Sequence, residues 1–383
     1  MAGRILGVGI TGTSLTDLER RLLMDSHPYA VVLFGRNVDT VEQLKDLVQD
    51  IKATSTNPPV IMIDEEGGRV DRLRNIVQGL PSAEAFGYMK QSKDLVRWFG
   101  KIIGEALHYF DIEINLAPVL DLKHDPPAAG LERRCYGEDP ETVIWLAGAF
   151  MKGQQGAGVA SCLKHFPGIG KGTADTHYGA SVINEPLETL SKEDLAPYFK
   201  LANQAKGVMI GHAVYPQIED PHLPASLSHK ISTEILRDVV GFKGAAISDD
   251  MEMHAVANTG TEEELVERAL MAGNDVILFC SKIERMPDVI QYIRNRRHEN
   301  RAFEERIRQA IKRADAYRAH CLKLQAKATV IPSFDALIDE VGRFCEAIEA
   351  SRTGERVVPE ISPTERREKL RKGTGVTGRE EWT

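Results

Sequence analysis

Eight short, nearly continuous apolar runs, separated by more polar stretches of helical character, dominate the sequence. Apolar residues at successive positions are typical of a parallel strand buried on both faces, because helices then cover both sides of the sheet. We therefore predict eight strands, at residues 5–9, 30–34, 60–64, 114–121, 160–166, 207–212, 245–249 and 275–280.

Amphipathic segments lie between these runs, for example at residues 16–24, 41–52, 141–155 and 187–204. The first opens with Thr16-Asp17-Leu18-Glu19, a capping-box pattern that predicts a helix start. Eight strands alternating with helices predict a (β/α)8 barrel, with a doubly wound open sheet as the alternative.

The C-terminal part of the chain differs in composition from the part before it. We assign residues 1–326 to the catalytic barrel and residues 327–350 to a helical extension whose amphipathic helix covers 334–350. Residues 351–383 are charged and almost free of core-forming side chains, which predicts a mobile tail.

Composition excludes several classes of protein. A net charge of −8 offers no basic face for nucleic acid, and no apolar run is long enough to span a membrane. We expect a soluble cytoplasmic protein without an export signal. The five cysteines form no CxxC pair, which argues against a disulfide framework or a structural zinc site; they are Cys135, Cys162, Cys280, Cys321 and Cys345.

Polar residues follow six consecutive predicted strands at the carboxyl end, where barrels carry their chemistry. A single such residue is often only a helix cap, but six on one face predict a functional site. They are Arg36-Asn37, Asp64, Asp121, Lys164-His165, His212 and Asp249-Asp250.

The stretch "ISDDMEMHA" places Asp249 and Asp250 at the end of strand seven. Successive side chains of a strand alternate, so one carboxylate can point into the barrel mouth while the other braces a loop. A carboxylate in the mouth can serve as a nucleophile, a base or a metal ligand, and the structural alternative is that both acids cap helices.

The stretch "DEEGGRVDRLR" begins where strand three ends. Gly67-Gly68 allows the chain to double back and bring Arg69 or Arg72 towards Asp64. A carboxylate beside a guanidinium can grip adjacent sugar hydroxyls, and a surface ion pair on a turn is the alternative.

The stretch "KHFPGIGKGTADTHYG" holds two histidines, two lysines and an aspartate among four glycines. At least one of Lys164 and His165 faces the mouth, because they alternate at the end of strand five. Asp175 and His177 are spaced so that they can hydrogen-bond each other, which predicts a proton carrier on a moving lid. A surface Asp with a solvated His is the alternative.

Together these segments resemble glycoside hydrolase family 3, and within it the single-domain bacterial β-N-acetylglucosaminidases of the NagZ type. The matching stretches occur in the family's order over most of residues 5–280. They are "DEEGGRVDRLR", "LAPVLDL", "RRCYG", "KHFPGIG", "DTHYG" and "SDDMEM".

The resemblance implies a role for each matching residue. Asp249 corresponds to the family's catalytic nucleophile, and His177, supported by Asp175, corresponds to the subgroup's acid/base. It also implies retention of the β configuration through a covalent glycosyl-aspartate, with no metal or cofactor. The implied binding residues for a terminal N-acetylglucosamine are Asp64, Arg72, Arg134, Lys164 and His165.

The implied substrate is derived from peptidoglycan: an N-acetylglucosaminyl-β-1,4-anhydromuramic acid, with or without peptide, cleaved during cell-wall recycling. We expect a monomer or weak homodimer whose partner is this small-molecule sugar. One departure from the family concerns the lid, where Ile169 replaces a usual histidine. Another is Arg134-Cys135-Tyr136-Gly137, which stands where the family has "RSFG".

Other activities stay open at this point. A neutral imidazole would not repel phosphate as a carboxylate does, so the enzyme could be a phosphorylase, or another family 3 β-glycosidase. A metal-dependent hydrolase could use His165, His177, His212, Asp64 and Asp249, although the sequence has no HxH pair.

A non-catalytic binding module or a dinucleotide-binding oxidoreductase is suggested by "GVGITG", which spells GxGxxG at Gly7 to Gly12. That motif has to close a strand and open a helix itself. Here the predicted helix starts only at the Thr16 cap, which argues against this function.

Overall fold

Eight parallel strands close into a barrel in the computed structural model of the protein, which describes residues 2–87, 89, 92–172, 181–328 and 331–351. Each strand pairs with its neighbours in chain order, and β8 pairs with β1. The predicted (β/α)8 fold is confirmed, and the open sheet is wrong. The strands are β1 Leu6–Gly9, β2 Ala30–Leu33, β3 Val60–Ile63, β4 Ile114–Asn115, β5 Ala160–Phe166, β6 Gly207–Ile210, β7 Ala245–Asp250 and β8 Val276–Phe279.

The helices form the outer layer of the barrel. They are α1 Asp17–Ser26, α2 Val41–Lys52, α3 Ala83–Gly87, α4 Ser92–Tyr109, α5 Pro140–Gly156, α6 Leu187–Lys192, α7 Ala196–Ala205, α8 His254–Ala257, α9 Glu262–Ala272, α10 Met286–Glu299, α11 Arg301–Lys327 and α12 Phe334–Ser351, with a helix of π type at Lys230–Val239. The predicted capping box is present, since Thr16 and Glu19 bond each other's backbone N–H groups.

The strands are apolar throughout because their two faces belong to two separate cores. In β2, Ala30 and Val32 pack inside the barrel, whereas Val31 and Leu33 pack against the helices. The amino-terminal end of the barrel is closed by α11, from which the hydroxyl of Tyr317 donates to the carbonyl of Ser161 at 2.8 Å. With this end filled, the opposite end is left for a cavity.

One predicted helix, over residues 187–204, is wrong as a single element. The chain forms α6 and α7 instead, with Glu193 in a non-helical conformation between them. Asp194 follows and turns into the protein, where its side chain lies against Gly168. Pro197 lies in the first turn of the new helix, where a backbone N–H has no partner within the helix.

The helix predicted over residues 334–350 is present as α12, which packs against α4. The ring of Phe344 stacks on that of Phe99 with centroids 5.9 Å apart, and the indole N–H of Trp98 donates to Glu340 at 2.7 Å. The division of the chain at residue 326 stays a prediction. Residues 352–383 of the predicted mobile tail lie outside the described residues.

Candidate active site

The carboxyl ends of the strands surround an open cavity, called here the barrel-mouth cavity. Apolar side chains from the barrel interior, such as Val32, Met209 and Leu278, lie in its wall. Its polar lining residues are Asp64, Arg72, Arg134, Lys164, His165, Asp249 and Asp250. Every residue to which the family resemblance assigns a role, and which the structure describes, is therefore in one cavity.

A cluster of alternating charges forms one side of this cavity. The ammonium of Lys164 lies 2.6 Å from Oδ1 of Asp64 and 2.5 Å from Oε1 of Glu66. Arg134 donates two hydrogen bonds of 2.8 Å to the carboxylate of Glu66. This bidentate pairing fixes the orientation of the guanidinium. Arg72 lies 3.8 Å from the other oxygen of Asp64.

Burial and ion pairing act against each other in this cluster. Burial by itself raises the pKa of Glu66, but Arg134 and Lys164 outweigh it and hold that pKa well below its usual range. For Lys164, burial lowers the pKa, whereas the carboxylates of Asp64 and Glu66 raise it above the usual value. Glu66 and Lys164 are therefore both ionised at neutral pH, and the cluster places donors and acceptors side by side as sugar hydroxyls require.

His165 is held in one orientation by a buried carboxylate. Its Nδ1 lies 2.7 Å from Oδ2 of Asp121, and the backbone N–H of Ile169 donates to the other oxygen at 2.8 Å. Because a carboxylate only accepts, Nδ1 carries a hydrogen. Asp121 thereby joins a cavity-lining imidazole to the beginning of the segment that contains Asp175 and His177.

The two acids at the end of β7 differ in their surroundings. Oδ1 of Asp250 accepts from the backbone N–H groups of Glu252 and Cys280 at 3.1 and 3.3 Å, so this side chain braces the turn. Asp249 accepts from the N–H of Asp250 at 2.8 Å. Both acids line the cavity. The pairing of β7 with β8 changes register between Ile247 and Asp250, in the segment that contains both acids.

Residues 7–315 match the model of the glycosyl hydrolase family 3 N terminal domain. The chain belongs to glycosyl hydrolase family 3. It is a glycoside hydrolase, and the resemblance seen in the sequence is confirmed.

Curated relatives and solved structures agree with this assignment. Beta-hexosaminidases of Nitrosomonas eutropha and Pseudomonas aeruginosa are 36% and 35% identical over 284 and 282 residues, which cover 72% and 73% of this chain and 80% and 83% of theirs. The family 3 β-N-acetylglucosaminidase of Paenibacillus sp. str. FPU-7 superposes with a TM-score of 0.82 at 30% identity, covering 90% of this chain and 67% of that one.

A further solved structure, NagZ from Neisseria gonorrhoeae in complex with N-trifluoroacetyl-D-glucosamine, superposes with a TM-score of 0.67 at 29% identity. The match covers 85% of this chain and 98% of the NagZ chain. This family 3 barrel is thus similar to a relative over nearly that relative's whole length.

Two predicted residues of the family's catalytic set, Asp175 and His177, lie outside the described residues. Arg69, one of two candidates for approaching Asp64, pairs with Glu132 instead. Arg72 is the arginine that approaches Asp64, because the chain turns back at Gly67 and Gly68, with φ of 81° and 59°.

Several polar strand-end residues support the site from outside the cavity. Arg36 donates to the carbonyls of Ile10 and Cys280, and His212 bonds the hydroxyl of Ser226 and the carbonyl of Asp250. Asn37 is also buried among backbone partners. These side chains fix loops instead of facing the cavity.

Glu66 is the member of the charged cluster that sequence reasoning missed. It lies in "DEEGG", two residues after Asp64, and this i, i+2 spacing was the available signal.

Ile169, which replaces a family histidine, packs beside the small apolar cluster of Val119, Ala128, Leu131 and Cys135. At the base of the predicted lid, this chain therefore has an apolar side chain where the family has a polar one.

Two other chemistries gain no support from the described part of the chain. Among those residues no group of three His, Cys, Asp or Glu side chains is arranged to hold a metal ion. The GxGxxG stretch closes β1 at Gly9, but α1 begins only at Asp17.

No helix in the described ranges is long and apolar enough to cross a membrane.

Proposed function

We propose that this family 3 enzyme is an exo-acting, retaining β-N-acetylglucosaminidase that removes terminal N-acetylglucosamine from peptidoglycan-derived muropeptides. The observation that carries the proposal is the position of Asp249. Its carboxylate lies in the same cavity as the Asp64–Lys164 pair, so a nucleophile and a group that binds sugar hydroxyls face one space.

The proposed reaction has two steps. Asp249 attacks the anomeric carbon while His177, protonated and supported by Asp175, donates a proton to the leaving oxygen, and a glycosyl-aspartate results. Neutral His177 then removes a proton from water, which displaces Asp249 and restores the β configuration. The aspartate is released as a carboxylate, and the imidazolium is regenerated for the next cycle.

The proposed sugar site uses the charged cluster and His165. The carboxylate of Asp64 would accept hydrogen bonds from hydroxyls of the terminal sugar, and the cations Lys164, Arg72 and Arg134 would donate to adjacent hydroxyls. The N-acetyl group is proposed from the relatives, among them the N-trifluoroacetyl-D-glucosamine complex of Neisseria NagZ. The muropeptide aglycone is proposed from the family resemblance of the sequence.

Release of 4-nitrophenol from its β-N-acetylglucosaminide and β-glucoside tests the activity. Asp249→Asn keeps the size of the side chain and its bond to the N–H of Asp250, so kcat should fall by about 10³-fold or more in a folded protein. Asp250→Asn is the matched variant and should cost much less. Equal losses in the two variants, or activity on the glucoside alone, would contradict the proposal.

The chemical course is tested separately. NMR of the first-formed product should show the β anomer. An intact mass measurement with a slowly released fluorinated sugar should show one added sugar, which mass analysis of peptides should place on Asp249. In phosphate buffer the product should stay free sugar, whereas sugar 1-phosphate would establish phosphorolysis. Purified N-acetylglucosaminyl-anhydromuramic acid, with and without peptide, tests the natural substrate class.

We also propose that the enzyme acts in the cytoplasm as a monomer or weak homodimer. All five cysteines are free, and four are buried, which fits a reducing compartment. Cell fractionation tests the location, and light scattering over a range of concentrations tests the assembly. Recovery in a secreted fraction, or a dimer that persists on dilution, would contradict these two expectations.

A further inference from the structure

The C-terminal helix α12 lies outside residues 7–315, which match the family model, yet it is an amphipathic helix built to pack on the barrel. Its buried side chains recur at intervals of four and three residues, which places them on one face of the helix. They are Leu337, Val341, Phe344 and Ile348. The helix packs against α4, so this apolar face holds it to the outer layer of the barrel.

Phe344 is the side chain of α12 that reaches the aromatic residues of α4. Its ring is stacked on that of Phe99, with 4° between the ring planes and 5.9 Å between the centroids, and both side chains are fully buried. It also meets the ring of Trp98 edge to face, with centroids 5.3 Å apart. Since the Trp98 indole donates to Glu340, the position of α12 along α4 is fixed at this contact.

Phe99 in turn contacts the loop that carries Arg72 to the cavity. This loop turns at Gly67, where φ is 81° and a Cβ atom would lie only 2.7 Å from Cζ of Phe99. The backbone of Gly67 therefore rests directly on the ring, and a larger residue would not fit. Gly67 and Val70 exchange two backbone hydrogen bonds of 3.1 and 3.2 Å, and Arg72 follows, 3.8 Å from Asp64.

A second row of rings leads from Phe99 towards the other arginine of the cavity. The Phe99 ring lies 5.4 Å from that of Phe150 on α5, and Phe150 lies 6.3 Å from the ring of Tyr136. Tyr136 is buried two residues after Arg134 in the chain. Phe99 thus lies between α12 and the segments that carry both cavity-lining arginines.

Close packing makes such a row of contacts sensitive to a change at one end. Protein interiors are packed as densely as organic crystals, so neighbours shift when a side chain is removed. Truncation of Phe344 leaves a cavity that its surroundings fill only in part, and the Phe99 ring stacked on it can move into that space. Such a movement takes support from the turn at Gly67.

We propose that α12 positions Arg72 for substrate binding, with Phe344 holding Phe99 against the turn at Gly67. Phe344 and Phe99 are positioning residues, because neither is among the residues that line the barrel-mouth cavity. The effect on substrate rests on the proposed sugar-binding role of Arg72. A small displacement of a binding group weakens its contact with substrate, so KM should depend on a helix that lies outside the cavity.

The experiment measures KM, kcat and melting temperature of the full chain for wild type, Phe344→Ala and Phe334→Ala. Phe334 is the matched control on the same helix, because its ring packs 5.3 and 6.3 Å from those of Tyr109 and Phe110 instead of on Phe99. Both changes should lower the melting temperature, but only Phe344→Ala should raise KM, by about tenfold with little change in kcat. A fraction of unfolded protein would lower the apparent kcat and leave KM unchanged.

Phe344→Leu is the second variant, for the case that the alanine variant folds poorly. Leucine keeps much of the apolar volume at this buried position, so the loss in melting temperature and the rise in KM should both be smaller than with alanine.

Hydrogen exchange gives a readout that needs no substrate. The backbone N–H groups of Gly68 and Arg72 are hydrogen-bonded within the loop, at 3.0 and 2.7 Å, so their exchange reports whether the loop is closed. Peptides that cover residues 64–80 should exchange faster in Phe344→Ala than in wild type or in Phe334→Ala.

The possible results separate this inference from the proposed function. An unchanged KM in both Phe344 variants, or an equal rise of KM in Phe334→Ala, would overturn the positioning role. Exchange of residues 64–80 at the wild-type rate in Phe344→Ala would overturn the link between α12 and the loop. If wild type cleaves no glycoside, the proposed function fails, and the exchange rates still decide whether α12 holds the loop in place.

Discussion

Asp121 and His165 are joined by a hydrogen bond of 2.7 Å between the carboxylate and Nδ1 of the imidazole. The same carboxylate also accepts from the backbone N–H of Ile169. A single buried anion therefore sets the orientation of a cavity-lining ring and the path of the chain that follows β5.

Asp121→Asn should weaken substrate binding more than it slows the chemical step. The amide has a single accepting atom, its oxygen, so it can accept from Nδ1–H of His165 or from the N–H of Ile169, and the other hydrogen bond is lost. A charged hydrogen bond contributes about 1.5–3 kcal/mol, which predicts a KM about 10- to 100-fold higher. Steady-state kinetics check this, and a lower kcat at unchanged KM would contradict it.

Lys164→Met should destabilise the protein and abolish tight sugar binding. It leaves Asp64 and Glu66 without the ammonium between them, and breaking a buried ion pair costs about 3–5 kcal/mol. Lys171→Met is the matched control, because Lys171 pairs with the partly exposed Glu185 and Glu193 and should cost at most about 1 kcal/mol. Urea denaturation compares them, and equal losses would show that burial of the pair is unimportant.

Asp194→Asn should stabilise the protein at about pH 8 and have little effect at about pH 4. Burial, opposed by Lys171 and reinforced by Asp121, raises the pKa of Asp194 to about 7, and neither carboxyl oxygen has a described hydrogen-bond partner. Stability is therefore lost as the pH rises from the usual value to about 7.

The gain at the higher pH should be about 2–4 kcal/mol, measured as the free energy of unfolding in urea at both pH values. An equal effect at the two values would mean that Asp194 does not change its protonation in this range.

Asp275→Asn should destabilise the barrel without changing KM. Asp275 is fully buried at the amino end of β8, where Arg237 and Arg306 lie 2.8 Å away and Arg313 lies 3.2 Å away. Burial lowers the pKa of Arg237 to about 10 even with this anion present. Removing the anion should cost about 3–5 kcal/mol in urea denaturation. A change in KM would contradict the separation of this end from the cavity.

The sequence by itself determined parallel strands alternating with helices, with a barrel predicted ahead of an open sheet, and the end of the strands at which the chemistry lies. Apolar runs of strand length, separated by amphipathic helices, can be buried only as parallel strands covered on both faces. In such a barrel the residues after each strand must gather at one end, which is why Asp64, Lys164 and Asp249 were predicted to be close together. Local rules also sufficed for the Thr16 cap, because a capping box involves neighbours in the chain.

Only the tertiary structure decided which polar side chains enter the cavity. Asp121 and His212 follow predicted strands as Asp64 does, but they turn to partners on other loops. Glu66, which sequence reasoning passed over, pairs with Lys164 and Arg134 beside the cavity. The direction of a side chain just beyond a strand depends on strand irregularities and on hydrogen bonds to residues distant in sequence.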